Sequence, residues 1–177
     1  MQKAVFLDRD GVINELLVDR SQIRVPLRLS EFRLLPKVKE AIRLFKDAGF
    51  LSVVVTNKPD LATGLLTLEE MNKMHDFMKR ETGLEIIYYC PHIDADECLC
   101  RKPEPGMILQ AAKDHGIDLE KSFMIGDRWK DIHAGLRVGC KTVLVTSQQT
   151  IADRIDFQAH FCFETLFQSA LFITQQV

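Results

Sequence analysis

The sequence predicts an α/β protein in which a doubly wound parallel sheet is covered by helices on both faces. Two observations carry this prediction. Short apolar runs, typical of buried strands, alternate along the chain with amphipathic stretches that are typical of helices. The chain has 177 residues, of which 46% are hydrophobic, and this length suits one sizeable core better than two. We therefore expect residues 1–177 to form a single domain.

The elements alternate in a regular order. The predicted strands are 3–8, 51–56, 84–89, 122–126 and 141–146, with an edge strand at 159–163. The predicted helices are 36–49, 67–83, 105–116, 129–139 and 164–173. In the first helix Val38, Ile42 and Phe45 recur at helical spacing, and Thr67 with Glu70 forms a capping pattern at the start of the second.

Composition excludes some kinds of partner. The net charge is −2, and lysine and arginine are scattered, so nothing indicates binding to nucleic acid or to an anionic membrane. The start of the chain lacks the apolar core of a signal peptide, and no run of about eighteen apolar residues occurs. We expect a cytoplasmic monomer whose cysteines stay reduced.

Polar residues follow the predicted strands, at the edge of the sheet where ligands bind in such folds. They are Asp8, Asp10, Thr56, Asn57, Arg101, Lys102, Asp127, Arg128 and, one helical turn later, Asp131. A turn at Gly11 can bring Asp8 and Asp10 toward one cavity. With Asp127 added, three carboxylates would repel one another unless a cation such as Mg²⁺ lay among them. A lysine and a threonine hydroxyl suit the oxygens of a phosphoryl group, so the set predicts phosphoryl transfer.

Simpler interpretations of the same acids exist. Asp8 and Asp10 could be ordinary turn residues at the end of a strand. Asp131 could be an exposed carboxylate in the first turn of a helix, where it favours the helix dipole.

Residues 90–103, CPHIDADECLCRKP, crowd three cysteines and a histidine together. Cys90, His92, Cys98 and Cys100 match the ligand set of a closed structural zinc site. Zn²⁺ would then order the loop that leads into Arg101 and Lys102. The alternative is a surface loop of reduced cysteines with a fortuitous histidine.

The motifs FLDRDGV, VVVTN, RKP and MIGDRWKD occur in this order, each after an apolar strand. Together they resemble the haloacid dehalogenase superfamily of phosphohydrolases, which implies a Rossmann-like fold. The resemblance implies that Asp8 is the nucleophile that forms an aspartyl phosphate and that Asp10 is the general acid and base. It also implies that Mg²⁺ is held by the Asp8 carboxylate, the Asp10 main-chain carbonyl and Asp127. Thr56 and Lys102 would fix the phosphoryl oxygens, and Asp131 would support the magnesium site from outside its ligands.

The segment CPH followed by CxCRKP resembles the capless, zinc-loop branch of that superfamily. This branch contains heptose-bisphosphate phosphatases and histidinol-phosphate phosphatases, which implies no large cap domain and a small phosphorylated metabolite as substrate. A heptose bisphosphate is favoured, with Asn57, Arg101 and Arg128 recognising it. Compared with the heptose enzymes, the chain departs at 58–60 and at Arg128, and we expect both departures to affect the substrate side and not the chemistry.

The loop at 16–28 should shape the entrance to the site. A catalytically silent zinc-loop protein that binds phosphates is the competing function, and a tandem Asp8 and Asp10 argues against it.

The other distinctive side chains are expected to be structural. We expect a buried methionine stripe, a solvated histidine and two buried cysteines: Met71, Met74 and Met78; His75; Cys140 and Cys162.

Overall fold

The computed structural model describes residues 1–19, 22–147 and 158–176. Its strands are β1 (Ala4–Leu7), β2 (Leu17–Asp19), β3 (Gln22–Arg24), β4 (Leu51–Asn57), β5 (Ile86–Cys90), β6 (Phe123–Gly126), β7 (Lys141–Val145) and β8 (Phe161–Phe163). Its α-helices are α1 (Val38–Asp47), α2 (Leu68–Thr82), α3 (Gly106–His115), α4 (Trp129–Arg137) and α5 (Leu166–Thr174). Every predicted strand and helix is present. None of these helices combines the length and apolar character needed to cross a bilayer.

Six strands form one parallel sheet in the order β5-β4-β1-β6-β7-β8. The chain adds β4 and β5 on one side of β1 and then returns to add β6, β7 and β8 on the other. The order therefore reverses between β1 and β6, and the crevice at such a reversal is the usual ligand site of these folds. The predicted doubly wound fold class is confirmed.

The core has two layers, one on each face of the sheet. Val5 and Leu7 of β1 pack with the apolar sides of α1, α2 and α5. Ala4 and Phe6 point to the other face, where they pack with residues of α3 and α4. Because both faces are covered, the central strands are apolar throughout and do not alternate with polar residues.

Helix α2 shows how local signals and packing agree. The Thr67 side chain accepts a hydrogen bond of 3.2 Å from the Glu70 backbone N–H, as the capping pattern predicted. Met71, Met74 and Met78 are fully buried, so the predicted core stripe is confirmed.

His75 lies on the same inward side of α2 and is only 6% exposed, so its predicted solvation was wrong. Burial, together with the charges of Arg9 and Lys58, lowers the pKa of His75 to about 3. Its charged sequence neighbours Lys73 and Asp76 point outward and concealed this burial.

Cys140 is buried as predicted, but Cys162 is exposed, and its predicted burial was wrong. Cys162 lies in the edge strand β8, where neighbouring side chains point to opposite faces. Phe161 and Phe163 pack against the core, which turns Cys162 outward.

The segment 16–28, predicted only as a loop, contains the antiparallel pair β2–β3. Strands of three residues are too short for their periodicity to be recognised in a sequence. Arg24 donates hydrogen bonds of 3.0 and 2.9 Å to the two carboxylate oxygens of Glu31, which anchors β3. Leu16 and Val25, which flank the pair, border the cleft described next.

Candidate active site

A cleft of about 150 Å³ opens at the carboxyl ends of the central strands. All of the polar residues predicted at the strand ends border it: Asp8, Asp10, Thr56, Asn57, Arg101, Lys102, Asp127, Arg128 and Asp131. The fold therefore brings together four segments that are far apart in the sequence. The cleft is also bordered by Leu16, Val25, Pro59, Asp60 and Lys130.

Three carboxylates form what we call the acid cluster: Asp8, Asp127 and Asp131. One oxygen from each lies within 4.8 Å of the others, and all three residues are buried. Burial, and then the charges of Asp8 and Asp131, raise the pKa of Asp127 well above its ordinary value. Burial is also the main cause that raises the pKa of Asp131 to about 6, against the opposing charge of Lys102. The cluster is thus an electrostatically costly arrangement that a divalent cation would relieve.

Two glycines make this close approach possible. A Cβ atom on Gly11 would lie 2.2 Å from Asp127 Oδ2, and the φ of +87° at Gly11 also disfavours other residues. A Cβ atom on Gly126 would lie 2.1 Å from the Asp131 Cβ. The turn predicted at Gly11 therefore also admits a carboxylate from another strand.

Lys102 is the cation that balances this cluster. Its Nζ atom lies 2.8 Å from Asp8 Oδ1 and 2.5 Å from Asp131 Oδ1, and it donates a hydrogen bond of 2.8 Å to the Val55 carbonyl. Burial would lower the pKa of Lys102, but the charges of Asp131 and Asp8 outweigh burial and raise it. Thr56, directly after Val55 in β4, is buried beside the same cleft.

Asn57 was predicted to face the substrate. In the structure its side chain is hydrogen-bonded to the backbone of Lys102. Its Nδ2 donates to the Lys102 carbonyl and its Oδ1 accepts from the Lys102 N–H, each at 3.0 Å. The Asn57 amide therefore connects the end of β4 to the segment that carries the lysine.

The Asp10 carboxylate is surrounded by side chains that were not predicted to contact it. Its Oδ1 accepts hydrogen bonds from Arg9 and from Asn14, and its Oδ2 contacts the Lys58 ammonium group. Burial would raise the pKa of Asp10, but the charges of Arg9 and Lys58 hold it well below its ordinary value.

The departure at Lys58 was expected to affect the substrate side, but the Lys58 side chain contacts the carboxylate of Asp10, the residue predicted to be the general acid and base. The signal was present in the sequence, since Lys58 follows the strand-end pair Thr56 and Asn57 directly. Arg9 lies within the FLDRDGV motif, and Asn14 lies two residues after it. Ser147, which follows β7, places its Oγ atom 2.5 Å from Asp127 Oδ2.

Cationic side chains border the outer part of the cleft. Arg101 Nε and Lys130 Nζ lie 2.7 and 3.1 Å from the same oxygen of Asp94. Arg101 also donates a hydrogen bond of 3.1 Å to the His92 carbonyl, which joins the cleft to the cysteine segment. Arg128 lies beside them at the start of α4.

The cysteine cluster consists of Cys90, His92, Cys98 and Cys100. The three sulfur atoms and His92 Nδ1 all lie within 4.8 Å of one another, and the three cysteines are free thiols. The two closest sulfur atoms, Sγ of Cys100 and Sγ of Cys90, are 3.0 Å apart. Burial alone would raise the pKa of Cys98, but hydrogen bonding from Cys100 outweighs it and lowers that pKa to about 7. Three thiols and one imidazole, supplied by the end of β5 and the loop after it, are a donor set that fits zinc.

The fold and the strand-end residues together define a class, the haloacid dehalogenase-like hydrolases. The HAD-hydrolase-like family model matches residues 99–168. A 7-phosphatase of D-glycero-β-D-manno-heptose 1,7-bisphosphate from Pasteurella multocida is 35% identical over 178 residues, covering 94% of this chain and 94% of its own length. The corresponding protein of Helicobacter pylori strain J99 is 36% identical over 155 residues, covering 84% of this chain and 86% of its own.

A solved structure agrees with these relatives. The crystal structure of D,D-heptose 1,7-bisphosphate phosphatase from B. bronchiseptica, complexed with magnesium and phosphate, is 30% identical in sequence. It superposes with a TM-score of 0.87 over 99% of this chain and 100% of that one. The chain belongs to the heptose-bisphosphate phosphatase family of the haloacid dehalogenase superfamily, as its motifs indicated.

Proposed function

We propose that this protein is a Mg²⁺-dependent phosphomonoesterase that removes the 7-phosphate of D-glycero-D-manno-heptose 1,7-bisphosphate. The single observation that carries the proposal is the acid cluster of Asp8, Asp127 and Asp131 with Lys102 in contact with Asp8. The names of the relatives support the substrate.

Mg²⁺ fits the residues present, because it prefers oxygen ligands and is usually held by one or two carboxylates together with substrate phosphate. The Asp8 carboxylate, the Asp10 main-chain carbonyl and Asp127 would hold it. Asp131, which is paired with Lys102, would support it from beside the ligands. When bound, Mg²⁺ neutralises negative charge on the transferring phosphoryl group.

The chemistry assigned to this chain has two steps. In the first, an Asp8 oxygen attacks phosphorus, the bond from phosphorus to the sugar oxygen breaks, and Asp10 gives its proton to that oxygen. In the second, Asp10 takes a proton from water as the water oxygen attacks phosphorus, and inorganic phosphate leaves Asp8. Asp10 is a carboxylate in the free chain, and the charge of an arriving phosphate would oppose Arg9 and Lys58 and favour its protonation.

Thr56 and Lys102 would hold the oxygens of the transferred group. Arg101 and Arg128, which border the outer cleft, would bind the second phosphate or the sugar hydroxyls. A substrate with an anionic group at each end suits a cleft with acids and Lys102 at its base and arginines at its mouth.

The cysteine cluster would hold Zn²⁺ through all four of its donor atoms, which leaves no open position for catalysis. Its contribution would be to order residues 90–103, and so to fix Arg101 and Lys102 directly after Cys100.

The proposal is tested by measuring release of inorganic phosphate with Mg²⁺ from heptose 1,7-bisphosphate, histidinol phosphate and 4-nitrophenyl phosphate. We expect the highest kcat/KM with the heptose, an Asp8→Asn variant that is inactive on all three, and full activity in the matched control Asp76→Asn, which alters an exposed carboxylate of α2. A preference for histidinol phosphate would overturn the substrate. No release from any ester would favour a silent phosphate-binding protein instead.

A further inference from the structure

Lys58 is a buried lysine that lies behind the cleft. Its exposure is 0%, and its Nζ atom contacts Oδ2 of Asp10. Its backbone N–H donates a hydrogen bond of 2.7 Å to the Cys90 carbonyl, which fixes the start of the side chain. Lys58 does not border the cleft, whereas Asp10 does. The contact between Lys58 and Asp10 therefore links this buried lysine to the cleft.

The two oxygens of the Asp10 carboxylate have different surroundings. Oδ1 accepts hydrogen bonds from Arg9 Nε at 3.2 Å, from Arg9 Nη2 at 2.9 Å and from Asn14 Nδ2 at 3.0 Å. Within the part of the chain that the structure describes, Oδ2 has one side-chain partner, the Lys58 ammonium group. A carboxylate oxygen offers about two lone-pair sites, so Oδ1 is saturated and Oδ2 has room for a proton.

We propose that Lys58 is a positioning residue for proton transfer: by donating to Oδ2 it fixes the rotation of the Asp10 carboxyl group, so that the protonated oxygen meets the leaving oxygen of the substrate. The inference rests on the function proposed above. The proton moves from Asp10 Oδ2 to the leaving oxygen as the bond from phosphorus to that oxygen breaks, and the protons of Lys58 stay in place. Arg9 and Asn14 hold the opposite oxygen, so Lys58 supplies the second point that defines the orientation.

Comparing substrates with different leaving groups distinguishes this positioning role from a purely structural role of Lys58. A sugar alkoxide is a poor leaving group and needs a proton, whereas 4-nitrophenolate leaves without one. The parameter kcat/KM includes the departure of the leaving group, and a general acid contributes about 100- to 10,000-fold to such a step. A misplaced acid therefore slows cleavage of the sugar phosphate selectively, while a damaged fold slows both substrates alike.

The experiment compares kcat/KM for heptose 1,7-bisphosphate and 4-nitrophenyl phosphate in Lys58→Gln, with Lys113→Gln on the exposed side of α3 as the matched control. We expect Lys58→Gln to lose about 10- to 100-fold with the sugar phosphate and less than about 3-fold with the aryl phosphate, because only part of the acid's contribution is lost. In an Asp10→Asn background, Lys58→Gln should cause no further loss with the sugar phosphate, since the two residues act as one unit.

Equal losses with both substrates, or a further loss in the Asp10→Asn background, would overturn the inference. If Lys58→Gln does not fold, Lys58→Arg retains the buried charge but moves the donor, and the same selectivity is expected from it. A wild-type protein that releases phosphate from neither substrate would refute the proposed function itself, whereas an active wild type with unselective Lys58 variants refutes only this role.

Discussion

The acid cluster and the cysteine cluster are both groups of possible metal ligands, but they are assembled in opposite ways. Lys102 and Asp8 meet across 94 residues of sequence, and they do so because parallel strands end at one edge of the sheet. Cys90 and Cys100 are separated by 10 residues and meet within one continuous segment, the end of β5 and the loop that follows it. The first site depends on the topology of the whole fold, while the second depends on local spacing and on the metal that it would bind.

The two clusters are also joined. Asn57 bonds to the backbone of Lys102, and Arg101 bonds to the His92 carbonyl. The segment between Cys100 and Pro103 therefore contacts both clusters. A substitution in either cluster should change the position of this segment.

The largest effect is expected when the acid cluster alone is broken. In Asp127→Asn, the Mg²⁺ concentration needed for half-maximal activity should rise by about 100-fold, because even residues outside a metal's ligand set can change its affinity by 10- to 100-fold. Zinc content, measured by elemental analysis, should not change. An unaltered Mg²⁺ requirement would remove Asp127 from the site.

Breaking the cysteine cluster should have a smaller effect on activity. In Cys100→Ser, we expect zinc to fall from about one per chain to a trace, and phosphate release to fall about 30-fold as Lys102 loses its position. The Mg²⁺ requirement should change little. Cys162→Ser, which alters an exposed thiol outside the cluster, is the matched control. Full zinc content in the Cys100 variant would rule out the closed site.

Breaking the link between the clusters should have a moderate effect. Asn57→Ala removes two hydrogen bonds to Lys102, each worth about 0.5–1.5 kcal/mol, so kcat should fall roughly tenfold. Zinc content should be retained, and Asn72→Ala on the exposed side of α2 should behave as wild type. An Asn57→Ala variant as active as wild type would show that Lys102 is positioned by the loop alone.

The smallest effect concerns His75, whose pKa responds to its burial and to the charges of Arg9 and Lys58 beside Asp10. Its pKa is lowered to about 3, so below about pH 6.5 the unfolded chain binds a proton that the folded chain does not. This difference destabilises the wild type by about 1 kcal/mol as the pH falls from 6.5 to 5.5. In urea unfolding at the two pH values, His75→Gln should lack this loss, whereas His133→Gln should retain it. The same loss in His75→Gln would show that His75 is not held neutral.

These two regions also explain how far the sequence alone could lead. The cysteine cluster was recognisable because its four members, Cys90, His92, Cys98 and Cys100, are close in sequence. Asp8, Asp127 and Lys102 could be placed together only because strand alternation predicted a parallel sheet. The partners of Asp10 were missed because the direction of a side chain such as Lys58 depends on packing between separate segments. His75 was predicted to be solvated because its neighbours in the sequence are charged. Those neighbours point away from the core, while His75 itself is buried.

The central claim is that Asp8 attacks phosphorus, and its product can be observed directly. Asp10→Asn should transfer phosphate from 4-nitrophenyl phosphate to Asp8 but should release it slowly, because the base that activates water is missing. Mass spectrometry of acid-quenched protein should then find one phosphoryl group on the peptide that contains Asp8, and none in an Asp8→Asn, Asp10→Asn double variant. A phosphoryl group on another residue, or none while nitrophenol is still released, would contradict the account.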